Sequence, residues 1–277
     1  MPMYNPTQMC DNYMEAGVGK AKAPIWRLFV MGIAAGMIIA LGATASSTAA
    51  HSLTDVGMVR LVTALVFPIG LCIVVILGTE LFTGNVLMIN PALEKKISWI
   101  SIARNWAIVY FGNFVGSILV ASLMVYFGQV GIGDGALAVY TAKVAAAKSS
   151  LPWANAFVLG IFCNLLVCIA IYVGGSAQDT AGKCIGSFLP IIAFVVAGFE
   201  HSVANMYYIP SGIFASMNPA YAQMIVDAGI NTAVLNFPTF FLANLIPVTL
   251  GNIVGGAAVG LYMYYVHGTR AKKKLPK

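Results

Sequence analysis

Charge is what this chain most lacks. Only 9% of its 277 residues are Asp, Glu, Lys or Arg, against about 25% in an ordinary soluble domain. Hydrophobic residues make up 60%, and mean hydropathy is +0.86. So few charges cannot cover a water-facing surface, which excludes a soluble enzyme, a disordered chain and a nucleic-acid reader. Patterns for holding metals or cofactors are missing too. The five cysteines (Cys10, Cys72, Cys163, Cys168 and Cys184) are odd in number and form no CxxC pair. Neither a zinc site nor a disulfide framework is indicated, and no cofactor is expected. There is no Gly-x-Ser-Gly motif of the kind an intramembrane serine protease needs. Gly131-x-Gly-x-Gly135 sits in a loop without the strand–turn–helix context of a nucleotide site. The first 24 residues are polar, with no hydrophobic run closed by a cleavage site, which argues against a removable signal peptide.

What the chain has instead is long apolar runs. A membrane span needs about 20 mostly apolar residues, and six stretches qualify: 28–50, 61–93, 101–127, 154–174, 186–208 and 240–266. Of the 15 lysines and arginines, 12 fall in one alternate set of joints, and only Arg60, Lys143 and Lys148 fall in the other. By the positive-inside rule both termini lie in the cytoplasm. The expected protein is therefore an all-α, multi-pass protein of the inner or plasma membrane. It has a cytoplasmic N-terminal segment over 1–24, a single transmembrane domain over 25–267 and a basic cytoplasmic tail over 268–277.

The two halves of that domain, about 25–128 and 152–267, resemble each other. FVMGIAAG (29–36) matches FVLGIFCN (157–164), GTELFTGN (78–85) matches GFEHSVAN (198–205), and NWAIVYFGNFVG (105–116) matches NLIPVTLGNIVG (244–255). The order is the same in both halves, on spans one to three and four to six. Three spans per half is an odd number, so the halves enter the membrane from opposite sides. Such inverted repeats build channels and transporters, with the pathway at the repeat interface.

Spans two and five carry Gly-x-Glu in mid-membrane, followed by Thr83-Gly84-Asn85 or Val203-Ala204-Asn205. A carboxylate in hydrocarbon needs a partner or a cavity, and glycine beside hydroxyl or amide side chains suits a helix break that lines a pathway. Both spans are expected to be discontinuous, with Glu80, Gly84, Asn85, Glu200 and Asn205 structural at the breaks. Freed N–H groups at a half-helix start would favour an anion. His201 stands apart because its repeat mate is Leu81, so the symmetry does not require it. A lone histidine is often a satisfied core residue, but an ionisable group deep in a membrane argues for a place on the pathway. Asn164 replaces Gly36 of the repeat with a polar side chain. Asn-Pro-Ala occurs twice, at 90–92 and 218–220, the signature of an aquaporin. The boxes do not occupy matching repeat positions, and Asn-Pro favours turns, so both are read as turn chemistry.

At GTELFTGN, GFEHSVANM and LIPVTLGNIVGG the sequence resembles the formate/nitrite transporter family over about 12–267. The resemblance implies a homopentamer of aquaporin-like subunits, each with its own pore for small monovalent anions of weak acids: hydrosulfide, formate or nitrite, or lactate in some members. It further implies His201 as the central histidine, Thr83 as its partner, Asn164 beside it and Lys148 in the outer vestibule. Phe67, Leu71, Leu81 and Phe194 would form apolar constrictions, and the N-terminal segment would resemble one that plugs the cytoplasmic mouth in some members. Without the resemblance, Lys148 reads as a solvated loop charge and the four constriction residues as core or lipid-facing. The expected function is an anion channel with two open mechanisms: the anion is protonated near His201, by the imidazole or through water, and crosses as the neutral acid, or it crosses charged while His201, Thr83 and backbone N–H groups replace its hydration shell. The alternative is an aquaporin-like pore for water or small neutral solutes.

Overall fold

Asn5 opens the first helix. Its side chain accepts the Gln8 N–H while Gln8 Oε1 accepts the Asn5 N–H, both at 2.9 Å, and Pro6 pre-sets the first turn. This sets α1 (Pro6–Lys22). In the computed structural model, which describes residues 3–268, the chain continues through α2 (Ile25–Ala50), α3 (Val56–Val66), α4 (Ile69–Leu77), α5 (Phe82–Asn85), α6 (Ile89–Leu93) and α7 (Trp99–Tyr126). A helix not foreseen from sequence, α8 (Ala136–Ser149), lies between the halves. The second half comprises α9 (Trp153–Ser176), α10 (Thr180–Ala197), α11 (Ser202–Met217), the short α12 (Ala222–Asp227) and α13 (Phe237–Thr239), and α14 (Ile246–Val266), entered through a wide turn at Phe240–Leu245. The basic tail expected over 268–277 lies, from residue 269 on, outside the described residues.

Among the described residues six helical segments are long and apolar enough to cross a membrane: Ile25–Ala50, Val56–Leu77, Trp99–Tyr126, Trp153–Ser176, Thr180–Ala197 and Phe237–Val266. The count agrees with the six expected, and the second and fifth spans shift most, for local reasons. The second expected stretch, 61–93, stops at Leu77, and the fifth begins at Thr180, where Asp179 accepts the Gly182 N–H at 2.8 Å.

Both interruptions have one cause. α4 and α10 end on Gly78 (φ +62°) and Gly198 (φ +74°), left-handed positions that favour glycine. Each closes the same way: Thr79 N–H reaches back to Val74 O at 3.2 Å and Phe199 N–H to Phe194 O at 3.1 Å. Four residues later the next helix starts, giving the two breaks. The Asn-Pro-Ala boxes part company here. Asn218 ends α11 in a turn, as expected, but Asn90-Pro91-Ala92 lies inside α6, buried, with Asn90 Nδ2 donating to the Tyr172 hydroxyl at 3.0 Å. The first is therefore helical, because its proline falls early in α6, where no N–H is needed.

Each half is held by one close helix crossing. α2 meets α7 through Gly32, Gly36, Gly112 and Gly116, and α9 meets α14 through Gly160, Gly251 and Gly255. Small residues four apart let backbones approach without a hydrophobic driving force. A Cβ on Gly116 would collide with the Ile33 carbonyl on the facing helix. Gly116→Val is expected to cost about 3 kcal/mol or more, visible as a large drop in thermal stability in detergent. An unchanged melting temperature would refute this account of the crossing.

Candidate functional site

The site is built by matching hydrogen bonds at the two breaks. In the first half Glu80 N–H donates to Met31 O (3.4 Å), and Asn113 Nδ2 donates to the Gly32 (2.8 Å) and Glu80 (2.9 Å) carbonyls. Asn113 Oδ1 accepts the Phe82 N–H at 2.9 Å. In the second half Glu200 N–H donates to Leu159 O (3.3 Å), and Asn252 Nδ2 donates to the Gly160 (2.8 Å) and Glu200 (3.0 Å) carbonyls. Asn252 Oδ1 accepts the Ser202 N–H at 2.9 Å. One fully buried asparagine thus serves the two backbone groups freed at each break and ties them to a carbonyl of the neighbouring helix, Gly32 in α2 or Gly160 in α9.

The carboxylates repeat as well. Asn85 Nδ2 donates to Glu80 Oε2 at 2.6 Å and to Asn105 Oδ1 at 2.8 Å, while Asn205 Nδ2 donates to Glu200 Oε2 at 2.6 Å and to Asn244 Oδ1 at 2.7 Å. Glu80 and Glu200, 5% and 4% exposed, carry a lysine each: Lys20 Nζ lies 3.0 Å from Glu80 Oε2 and Lys148 Nζ 2.7 Å from Glu200 Oε1. The side-chain partners of these carboxylates are lysines and asparagines, and the freed backbone is served by Asn113 and Asn252. Neither lysine belongs to a repeat. Lys20 sits on α1 and Lys148 on α8, so two unrelated segments deliver matching cations.

The halves differ in three ways. Lys20 also donates to Asn85 Oδ1 at 2.8 Å, whereas Asn205 Oδ1 is buried without a partner. α1 packs against the first break: the Tyr13 hydroxyl donates to Gly84 O at 2.7 Å, and burial pushes the Tyr13 phenol well above its ordinary range, so it stays a neutral donor. The third difference is His201. It caps α11, its Nδ1 accepting the Ala204 N–H at 3.0 Å, while Nε2 lies 2.9 Å from Thr83 Oγ1. An Nδ1 that accepts carries no hydrogen, so the neutral ring holds its proton on Nε2 and points it at Thr83. Leu81, the mate of His201, offers α5 no side-chain cap.

Above His201 opens a vestibule of about 830 Å³ lined by Lys148, Glu200, Asn205, Phe67 and Phe194 among others. Below it lies a void of about 10 Å³ walled by Phe67, Leu71, Leu81, Phe194, Ile39, Ile191, Val167 and His201. That is room for about one water at most. Phe67 and Phe194 meet edge to face with centroids 5.8 Å apart, and the Phe194 ring stacks on His201 at 6.1 Å. The structure therefore gathers His201, Thr83, Lys148 and the four expected constriction residues. Neither Thr83 nor Asn164 lines either cavity: Thr83 joins the site through His201, and Asn164 donates to the carbonyls of Thr83 (3.1 Å) and Asn252 (2.6 Å). Sequence reasoning missed Lys20 and the support given by Asn105, Asn113, Asn244 and Asn252. The signal for the asparagines was their recurrence in the third repeat pair. Among the described residues no three His, Cys, Asp or Glu side chains gather as a metal site.

Residues 7–266 match the sequence profile of the family described as formate/nitrite transporter. The chain is 37% identical over 270 residues to the "Formate channel FocA" of Haemophilus influenzae, covering 95% of each chain. It is 39% identical over 264 residues to the "Probable formate transporter" of Methanothermobacter thermautotrophicus, covering 89% of this chain and 90% of that one. Its fold is similar to a structure described as "Pentameric formate channel with formate bound", with a TM-score of 0.78 and 35% identity over 88% of this chain and 97% of that one. It is similar also to an "FNT family ion channel", with a TM-score of 0.79 and 28% identity over 94% and 99%.

Proposed function

Since the chain belongs to the formate/nitrite transporter family, we propose that it is a formate channel. It works as a homopentamer in the plasma membrane with both termini in the cytoplasm, and each subunit has its own pore. The relatives named as formate channels support the substrate, and the pentameric neighbour supports the assembly. The observation that carries the reading is His201 holding Thr83 at the floor of a lysine-bearing vestibule, directly over a dry apolar void.

The void sets the mechanism. An isolated ion in such a medium costs tens of kcal/mol by Born solvation, on the order of 20, and Leu71, Leu81 and the two phenylalanines offer no compensation. A weak-acid anion escapes this cost by taking up a proton. Lys148 draws the anion into the vestibule, where the falling dielectric makes protonation favourable, and a proton from the bulk solution reaches it through vestibule water. His201 contributes a fixed Nε2–H donor that the passing acid shares with Thr83. Its Nδ1 is committed to Ala204, so a second proton on the ring would break the α11 cap. The expected outcome is relay through vestibule water with a ring that stays neutral. Lys20 then meets the substrate at the opposite mouth once α1 has moved.

Flux into proteoliposomes, comparing formate, nitrite, hydrosulfide and chloride at two pH values, tests this. Uptake of the three weak-acid anions should rise as pH falls, and chloride, whose acid is fully ionised, should barely pass. Equal chloride flux would overturn neutral passage. Water permeability without anion flux, read by light scattering on the same vesicles, would overturn the channel reading in favour of a neutral-solute pore.

A further inference from the structure

The vestibule is far larger than its proposed cargo requires. At about 830 Å³ it falls within the roughly 300–1,000 Å³ of pockets that hold drug-sized ligands, yet formate has three heavy atoms. Its walls are amphipathic. One turn-by-turn face of α3 presents Val56, Val59 and Arg60, and one face of α8 presents Tyr140, Lys143 and Val144. Among the described residues neither Arg60 nor Lys143 is paired with a carboxylate. The one carboxylate in the lining, Glu200, is already taken by Lys148. Arg60 is held in place, donating to Val196 O at 3.2 Å across the end of α10. Two solvent-exposed cations without a carboxylate partner, set among apolar wall residues, suit a ligand with an anionic head and an apolar body. The floor stops such a ligand, because Phe67 and Phe194 close on a void of about 10 Å³.

We propose that the wide vestibule is a binding site for bulky aromatic or aliphatic organic anions, held at Arg60 and Lys143 and too large to pass, so that they block the pore from this side. The blocking half of this inference rests on the channel reading above. The binding half does not.

The test uses naphthalene-2-sulfonate, which stays ionised and so cannot cross as a neutral acid. Calorimetry on the purified full chain in a nonionic detergent should show binding, weaker by about tenfold in the Arg60→Gln/Lys143→Gln double variant and regained in Arg60→Lys/Lys143→Arg. The uncharged naphthalene-2-sulfonamide should bind at least as weakly as the sulfonate does to the double variant. No binding to the native chain, equal binding of the sulfonamide, or unchanged binding in the double variant would each overturn the site. Sulfonate on the vestibule side of proteoliposomes should inhibit formate uptake, and from the other side it should not. Binding without inhibition of a working flux would overturn the block. Binding in a chain that carries no formate would sink the channel reading and leave the site standing.

Discussion

Replacing Asn252 by leucine is expected to abolish the folded assembly, leaving no monodisperse peak in size-exclusion chromatography of the detergent extract. The side chain is fully buried and supplies three backbone groups at once: the Ser202 N–H and the Gly160 and Glu200 carbonyls. Each buried polar group left without a partner costs about 1–3 kcal/mol. Two of the three, the Ser202 N–H and the Glu200 carbonyl, have no helix partner to fall back on, and their loss, on the order of 4 kcal/mol, is a large share of the net stability of many domains. Water cannot step in as it would at a surface, since a leucine of similar size fills the space. Asn113→Leu should fail in the same way, because Asn113 stands in the same relation to Phe82, Gly32 and Glu80. A normal elution profile and melting temperature for either variant would show that these amides are dispensable.

The second large effect is at His201, and it comes from comparing two variants. His201→Phe removes both the α11 cap and the donor to Thr83, and formate flux should fall about a hundredfold, the size of one unsatisfied polar contact on the pathway. His201→Asn keeps an acceptor suited to capping and an N–H donor, but has no group that titrates in this range. It should retain flux within about tenfold of the native chain and still respond to acid. Flux that persists in His201→Asn but loses its pH dependence would mean that the imidazole itself carries the proton.

Much of this architecture was legible in the sequence because the membrane imposes it. Six apolar runs can only be spans, and a Gly-x-Glu repeated in mid-membrane can only be buried at a break. The ends of α4 and α10 were readable in outline because Gly78 and Gly198 serve the left-handed turn that such a stop requires. The misses have physical reasons as well. Asn90-Pro91-Ala92 was read as a turn because local propensity favours one, but proline is tolerated early in a helix, and Tyr172 holds Asn90 there. α8 was invisible because a short alanine-rich stretch between two runs shows no strong apolar face. Lys20 was passed over because its partners, Glu80 and Asn85, lie 60 and 65 residues away. No local pattern announces a contact that only tertiary folding creates. Asn164 was placed beside the histidine by the family resemblance and by its replacing Gly36 of the repeat. Its amide donates to the carbonyls of Thr83 and Asn252, partners 81 and 88 residues away that no local pattern announces.

The placement of the two lysines has a consequence for how such a protein can diverge. The asparagines and carboxylates of the breaks are locked to one another by the duplicated scaffold, so a change in one half is felt in its own network. Lys20 and Lys148 arrive on α1 and α8, which the duplication did not produce. The polarity of each mouth is therefore modular. Exchange of a single outlying helix could re-tune what is admitted on one side, or how readily that side opens, while the load-sharing network at the centre stays as it is.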